Sequence, residues 1–248
     1  MDLTVVIACK DREKHLSYCL SSLSNQDTVP KVVIVDFGSS NSLIPFSSLY
    51  DFVRVIRVNR NTKIFHKARA INIGIKETDT KWFCSTDADQ IFATNFFSVV
   101  YNQLRRNKKY MVLCRTYFLR YKINDDPIHI QKQYDALLAR CRQDKHTKMH
   151  GEGCCIGLPT AWLRHVNGWD ERYIGYGAED SDVIYRARIA GFKPVLLNNL
   201  TSMIHLPHGK NSVYYNQTTY FAKNKKLYSE CKTKKQVVVN VGKSWGMQ

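Results

Sequence analysis

Residues 82–92 have the sequence WFCSTDADQIF, in which an apolar run ends in two carboxylates one residue apart, Asp87 and Asp89. In a strand, residues i and i+2 point to the same side, so both carboxylates can converge on one point where the strand ends. Hard divalent cations take oxygen ligands and often bind together with substrate phosphates. The stretch therefore predicts a buried strand that leads into a metal-diphosphate site, although short acidic pairs are also common in turns.

Strands and helices alternate around this stretch. Apolar runs predict four buried strands, at residues 3–8, 31–36, 53–58 and 82–86. Continuous apolar strands that alternate with helices are typical of an α/β fold with a mostly parallel central sheet and helices on both faces. Ligands of such sheets bind beyond the carboxyl ends of the strands, where Asp36 and Asp87 both lie. We therefore expect one site at this edge.

Length and composition bound the class of protein. The chain has 248 residues, of which 44% are hydrophobic and 23% charged, as expected for one large globular domain. No apolar run approaches the roughly 20 residues that span a bilayer, and no secretory signal pattern opens the sequence. A cytoplasmic location is the resulting expectation. Eight cysteines without Cys-x-x-Cys spacing favour reduced thiols over a disulfide framework.

The formal net charge is +16. A positive field of this size attracts polyanions such as nucleic acid, an anionic membrane face or acidic glycans. Residues 115–122 interleave cations with aromatic side chains, as grooves for single-stranded nucleic acid do, and the tail from Tyr220 is rich in lysine. The charge is therefore compatible with a nucleic-acid partner and with peripheral contact to a membrane.

Three N-terminal segments resemble family 2 nucleotide-sugar glycosyltransferases of the GT-A fold. They are residues 5–12 (VVIACKDR), residues 34–40 (IVDFGSS) and residues 65–74 (FHKARAINIG), the last of which leads on to Asp87 and Asp89. Further on, residues 167–170 (NGWD) and 176–182 (YGAEDSD) resemble the galactosyltransferase-type C-terminal motif, in which a glycine-aromatic-glycine loop precedes a Glu-Asp pair that opens a helix.

The resemblance implies a single Rossmann-like GT-A domain over residues 1–210. Residues 1–110 would form the nucleotide-sugar-binding half and residues 111–210 the acceptor and catalytic half. Residues 211–248 would be a basic C-terminal extension. The implied enzyme moves a hexose or pentose from a nucleotide-diphosphate sugar, expected to be a UDP-sugar, to a hydroxyl group.

The resemblance also implies which residues contact the donor. Asp36 would meet the ribose or the base, and the remaining donor contacts would come from Phe65, Lys67, Arg69, Asp87 and Tyr176. Many relatives have two acids where this chain has Asp36 followed by Phe37, so the identity of the nucleobase stays open.

A divalent cation, Mn²⁺ or Mg²⁺, is implied at the Asp-x-Asp pair. Asp89 would bind it most directly, with Asp87 beside it. The resembling families often supply a histidine after the last strand, and this chain offers His205, which we favour, and His208. Histidine together with carboxylates suits manganese better than magnesium.

Asp180 is the implied general base, which takes the acceptor proton in an inverting transfer. Glu179 would orient the acceptor, and Glu152 and Trp169 would face it. The same acids, up to Asp182, could instead simply stabilise the N-terminus of a helix.

Several functions compete at this point. A glycan is the favoured acceptor, and a hydroxylated modified base in DNA or RNA is the alternative. A non-catalytic nucleic-acid-binding protein on this scaffold is disfavoured because Asp87, Asp89, Asp180 and a histidine are all present. A nucleotidyltransferase is disfavoured because the N-terminus has no glycine-rich, lysine-containing phosphate loop.

Overall fold

The computed structural model describes residues 1–59, 64–123, 126–143, 152–175, 177–208 and 217–247. The strands are β1 Leu3–Cys9, β2 Lys31–Asp36, β3 Val53–Arg57, β4 Trp82–Asp87, β5 Gln90–Phe92, β6 Tyr110–Leu113, β7 Tyr117–Phe118, β8 Cys155–Pro159, β9 Lys193–Leu196 and β10 Met203–His205. The helices are α1 Glu13–Ser24, α2 Phe46–Leu49, α3 Lys67–Glu77, α4 Phe96–Arg106, α5 Ile130–Gln143, α6 Thr160–His165, α7 Glu179–Ile189 and α8 Gln217–Lys234.

Within these described ranges, seven strands form the central sheet in the order β3-β2-β1-β4-β8-β6-β9. β1 is parallel to β2 and β4, and β2 is parallel to β3. β8 is antiparallel to both of its neighbours, β4 and β6. The α/β class and the mostly parallel sheet predicted from the sequence are thus confirmed, with one reversed strand in the second half.

Helices cover both faces of this sheet, as predicted. Val5 and Ile7 of β1 pack into a core with α1 and α4, whereas Val6 and Ala8 pack into a second core with α3 and α7. The period-two alternation of a strand therefore sends apolar side chains into both cores, which explains why β1 reads as an unbroken apolar run.

A small second sheet, in the order β5-β10-β7, extends from the end of β4. His205 in β10 lies opposite Gln90 in β5. Leu206 donates its backbone N–H to the carbonyl of Asp89 at 2.8 Å, which continues the pairing beyond the strands. This pairing places the segment after β10 directly against the acidic turn after β4.

The described part of the C-terminal extension, residues 217–247, packs onto the domain. Asn240 Nδ2 donates to the carbonyls of Asn167 and Trp169, both at 2.8 Å. Trp245 is buried in the same core as α3, with the ammonium of Lys76 3.7 Å from its ring centroid. Trp245 therefore belongs to the packed core, although residues 211–248 are expected from the sequence to form a separate extension. In the described ranges, no helix has the length and apolar character needed to cross a bilayer.

A buried ion pair holds the start of α7 to its surroundings. Arg186 Nε donates to Asp182 Oδ2 at 2.6 Å, and both side chains are fully buried. Arg186 also donates to the carbonyl of Gly168 at 2.9 Å, and Tyr173 donates its hydroxyl to Asp182 Oδ1 at 3.2 Å. Asp182 therefore has a structural role in fixing α7.

We expect Arg186→Met to lower the free energy of unfolding by about 3–5 kcal/mol, because it leaves the buried Asp182 carboxylate without its cation. Urea denaturation of the variant and wild type measures this difference. Arg188→Met is the matched control, because Arg188 is exposed two residues further on, and its cost should stay below about 1 kcal/mol. Equal costs for the two variants would contradict the structural role of the pair.

Candidate active site

The carboxyl ends of β1, β2 and β4 form the edge at which the candidate residues gather. Asp36 is level with Cys9 of β1, and Asp87 is level with Ala8 on the other side of that strand. Two strand ends therefore present an acid on either side of β1, as the sequence predicts. The parallel order of these strands brings together residues that lie far apart in the chain.

Asp89, His205 and His208 form a set that fits a metal ion. One donor atom from each residue lies within 4.8 Å of the others. Nε2 of both histidines is 3.4 Å from a carboxylate oxygen of Asp89. Asp89 Oδ1 is buried without a hydrogen-bond partner in the described structure, a cost that a bound cation would remove. The carboxylate and imidazole donors suit Mn²⁺, and both histidines are equally placed to bind it.

Asp87, expected beside Asp89 at the metal, lies outside this set, and its place at the metal stays a prediction. Its Oδ1 accepts a hydrogen bond from Lys67 Nζ at 2.7 Å. Lys67, in the first turn of α3, also donates to Asp180 Oδ2 at 2.8 Å. Lys67 therefore bridges two candidate carboxylates from different halves of the domain.

Asp180 is held on both of its oxygens. Lys67 contacts Oδ2, and Trp169 Nε1 donates to Oδ1 at 3.1 Å. Burial raises the pKa of Asp180 against the opposing effect of the Lys67 ammonium. Burial alone would lower the pKa of Lys67, but Asp180 and Asp87 outweigh it and hold that pKa well above its usual range. Lys67 is therefore a stable ammonium.

The structure also corrects the expectation that Trp169 faces an acceptor. Its side chain is 0% exposed and packs against Phe83, with ring centroids 5.8 Å apart. A ring buried in the core offers no surface to a bound sugar. Its contribution to the site is the Nε1–H that orients Asp180.

Glu179 is the second acid at the start of α7. It is buried, and its Oε2 has no hydrogen-bond partner in the described structure. Burial, followed by the neighbouring Asp180, raises the pKa of Glu179 to about 7. The carboxyl of Glu179 therefore exchanges its proton near neutral pH.

The backbone before Glu179 is strained into the left-handed region. Gly177 has φ +106°, and Ala178 has φ +71°, which costs a non-glycine residue free energy. On the opposite side, Gly153 lies so close to Asp180 that a Cβ there would be 2.5 Å from the Asp180 Cβ. The left-handed backbone at Ala178 and the close approach of Gly153 together fix the position of Glu179 and Asp180. Tyr176, predicted to contact the donor, lies outside the described residues, and Glu152 is described only in its backbone.

Asp36 is more enclosed than predicted. Its side chain is 0% exposed and accepts hydrogen bonds from Arg57 at 2.6 Å, the N–H of Ser39 at 2.9 Å and the N–H of Leu43 at 3.2 Å. Both oxygens are already engaged, so the carboxylate is not presented to a ribose or base. Asp36 instead shapes the turn after β2, and sequence reasoning missed Arg57, which has no motif to mark it.

Two of the other residues predicted to contact the donor lie at the start of α3. Phe65 packs edge-on to Phe37, with ring centroids 6.2 Å apart. Arg69 Nε donates to the carbonyl of Met247 at 3.1 Å, so this guanidinium is tied to the C-terminal segment. His66 stands between them in the sequence, and its buried Nε2 has no partner in the described structure.

Sequence reasoning also missed His15. This α1 residue has its Nε2 3.2 Å from the carbonyl of Pro207, between the two candidate metal-binding histidines. Because a carbonyl can only accept, the Nε2 must carry the proton in this contact. His15 thus connects the first helix to the metal-binding segment. The sequence signal was a single histidine on an amphipathic helix, which carries no functional information by itself.

Two family models match this chain. The family model of glycosyl transferase family 2 matches residues 4–167, and that of the N-terminal domain of galactosyltransferase matches residues 139–209. Among curated proteins, none matches the sequence.

Solved structures share the fold at low sequence identity. TarS 1-349 from S. aureus has a TM-score of 0.65 at 15% identity, covering 93% of this chain and 65% of its own. GalNAc-T7, solved with UDP, GalNAc and Mn²⁺, has a TM-score of 0.68 at 13% identity, covering 92% and 47%. The mannosyltransferase PcManGT from Pyrobaculum calidifontis, solved with GDP-Man and Mn²⁺, has a TM-score of 0.63 at 15% identity, covering 94% and 64%. The chain thus spans less than two thirds of the length of these proteins and shares the GT-A fold with them.

We expect Asp89→Asn to weaken Mn²⁺ binding by more than about tenfold, because it replaces a charged ligand with a neutral one. Asp87→Asn is the matched control and should weaken it less, because the Asp87 carboxylate is engaged with Lys67. Electron paramagnetic resonance of free Mn²⁺ measures both affinities without any substrate. Equal losses would show that Asp87 binds the metal as directly as Asp89 does.

We expect wild-type stability to fall relative to Glu179→Gln as the pH rises from about 4.5 to about 7. In this window the folded state retains the Glu179 proton and the unfolded state does not, so rising pH favours unfolding. Glutamine removes this titration. Melting temperatures of both proteins across pH 5 to about 8 measure the difference, and parallel curves would contradict the raised pKa.

Proposed function

This chain belongs to glycosyl transferase family 2, and from that premise we propose that it is a metal-dependent enzyme that moves a sugar from a nucleotide-diphosphate sugar to a hydroxyl acceptor with inversion. The donor is a UDP-sugar and the acceptor a glycan. The observation that carries the proposal is the position of two chemically different sets at one sheet edge. One is the metal set of Asp89, His205 and His208, and the other is Asp180 with Glu179.

The metal set would stabilise the leaving group. Asp89, His205 and His208 would hold Mn²⁺, or Mg²⁺, and a cation there supplies Lewis-acid stabilisation of the departing diphosphate. Two of the similar structures were solved with Mn²⁺ together with UDP or GDP-Man. The unpartnered Asp89 Oδ1 and the clustering of the three donor atoms are the direct support in this chain.

Lys67 connects donor binding to the base. Before the donor binds, its ammonium lies between Asp87 and Asp180, at 2.7 and 2.8 Å. A diphosphate at the sheet edge brings further negative charge to that ammonium. Movement of Lys67 toward the diphosphate would release Asp180 Oδ2, so the base becomes available only when a donor is present.

Asp180 then takes the proton of the acceptor hydroxyl as that oxygen attacks the anomeric carbon. Trp169 keeps the other oxygen in place through the 3.1 Å hydrogen bond. Glu179, with its pKa raised to about 7, can donate a hydrogen bond when protonated and orients a second acceptor hydroxyl. The attack comes from the face opposite the diphosphate and therefore inverts the anomeric centre.

The glycan acceptor is favoured over a modified base by the aromatic surface. The guanidinium of Arg140 lies 5.4 Å from the Tyr121 ring centroid, and that of Arg142 lies 5.6 Å from the Tyr117 ring centroid. A base that stacked on either tyrosine would have to displace an arginine from the ring face. The alternative, transfer to a hydroxylated base in DNA or RNA, keeps the same donor chemistry and changes only the acceptor.

The test is a melting-temperature panel of nucleotide sugars, with and without Mn²⁺, on wild type and Asp180→Asn. A ligand that binds only the folded state raises the melting temperature. We expect one UDP-sugar to raise the melting temperature of both proteins in a Mn²⁺-dependent way. The rate of sugar transfer should fall at least about a hundredfold in Asp180→Asn, because general-base catalysis contributes this much. No rise with any donor would contradict the proposed activity, and near-normal turnover would exclude Asp180 as the base.

A further inference from the structure

Helix α8 is fixed between α7 and the backbone at Gly175 and Gly177, which we call the glycine segment. Asn224 Nδ2 donates to the carbonyl of Ile174 at 2.9 Å. The Phe221 ring lies so close to Gly177 that a Cβ there would be 2.6 Å from its Cδ2. Further along, Tyr185 of α7 donates its hydroxyl to the carbonyl of Lys232 at 3.1 Å. The helix therefore has one face held against the residues that precede and follow Glu179 and Asp180.

The solvent-exposed surface of α8, on its outer side and flanks, is strongly basic. Asn224 and Cys231, seven residues apart, mark the buried side. The solvent side carries five exposed lysines and one acid, Glu230; the lysines are Lys223, Lys225, Lys226, Lys232 and Lys234. In the described part of the chain, none of these ammonium groups lies within ion-pair distance of a carboxylate. This face therefore carries a charge that the protein itself does not neutralise.

Apolar side chains lie among these lysines. Phe221 is 37% exposed, with the Lys225 ammonium 4.5 Å from its ring centroid. Lys232 lies 4.7 Å from the ring centroid of Tyr228, two turns further along the same side. Ile174, whose carbonyl accepts from Asn224, is 37% exposed, and Ile189 at the end of α7 is 38% exposed. The surface thus combines unpaired ammonium groups with aromatic and aliphatic side chains.

We propose that this face of α8 docks on the surface of an anionic lipid bilayer. Polybasic segments are drawn to anionic headgroups, and exposed apolar side chains at the same level enter the interface. Phosphates of nucleic acid would match the charge but leave Ile174 and Ile189 without an apolar partner. The helix also uses lysine throughout and no arginine, the residue that recognises nucleic-acid phosphates with two parallel hydrogen bonds.

The apolar residues do not form a continuous face, so the docking is mainly electrostatic and does not bury the helix in the acyl region. One helix diameter, about 10–12 Å, would then separate the lipid surface from the glycine segment. Docking would thus place the site within reach of an acceptor carried on a lipid, a consequence that rests on the proposed function.

Co-sedimentation with vesicles tests the docking in the absence of donor and metal. We expect the wild-type protein to sediment with phosphatidylcholine vesicles that contain about 30% phosphatidylserine and not with vesicles of pure phosphatidylcholine. Added salt should release it from the anionic vesicles. Lys223→Glu with Lys226→Glu should lower binding at least about tenfold. The matched control is Lys108→Glu with Lys132→Glu, which makes the same charge change at two exposed lysines away from α8. This control should lower vesicle binding less than about threefold. Melting temperatures establish that all variants fold.

Three outcomes would overturn the docking: no binding to the anionic vesicles, equal binding to neutral ones, or equal losses in the two double variants. A fourth would assign the face to nucleic acid, namely α8-dependent binding of a single-stranded oligonucleotide without vesicle binding. Since vesicle binding needs no donor and the donor-induced rise in melting temperature needs no vesicle, docking and the proposed activity can each fail alone.

Discussion

The arrangement of the site depends on one ammonium group held between two carboxylates. Lys67 is 20 positions from Asp87 and 113 from Asp180 in the sequence, yet its Nζ contacts both at under 3 Å. Without this cation, Asp87, Asp180 and the adjacent Glu179 would face each other in a partly buried space, where like charges repel strongly. Lys67 therefore joins the end of β4 to the start of α7, and its charge opposes the rise that burial causes in the pKa of Asp180. Under the proposed function, a donor diphosphate would compete for this same ammonium.

The reversed strand β8 places the second wall of the site. It runs antiparallel to β4, so its N-terminal end, where Gly153 and Cys154 lie, meets the carboxyl end of β4. Thr86 donates its hydroxyl to the Cys154 carbonyl at 3.0 Å, and Gly153 lies in close contact with Asp180. A parallel β8 would have carried this glycine to the opposite edge of the sheet. The mixed sheet thus allows the two halves of the domain to meet at one edge.

Much of this could be predicted from the sequence, because its signals are local. The alternating elements, the sheet edge and the clustering of Asp89 with the histidines follow from periodicity, strand ends and a matching motif order. Burial and partner choice could not be predicted in the same way. Trp169 and Asp36 occupy motif positions that predicted contact with substrate, yet both are enclosed, because the residues that cover them, such as Arg57, are distant in sequence and unmarked by any pattern. The sequence of the tail likewise predicted only a charged extension, because the single residues that anchor it, such as Trp245 and Asn240, give no periodic signal.

The anchoring of the tail ties α7 to the surface of the protein. Arg186 pairs with Asp182 inside α7 and also donates to the carbonyl of Val237 at 3.2 Å, just beyond α8. Ala178 is held in a left-handed conformation at the start of the same helix. A strained residue persists only where its surroundings over-determine it, and here α8 on one side and the Arg186 network on the other supply that constraint. A force applied to α8 would therefore act on the segment that positions Glu179 and Asp180, because Phe221 of α8 lies directly against Gly177.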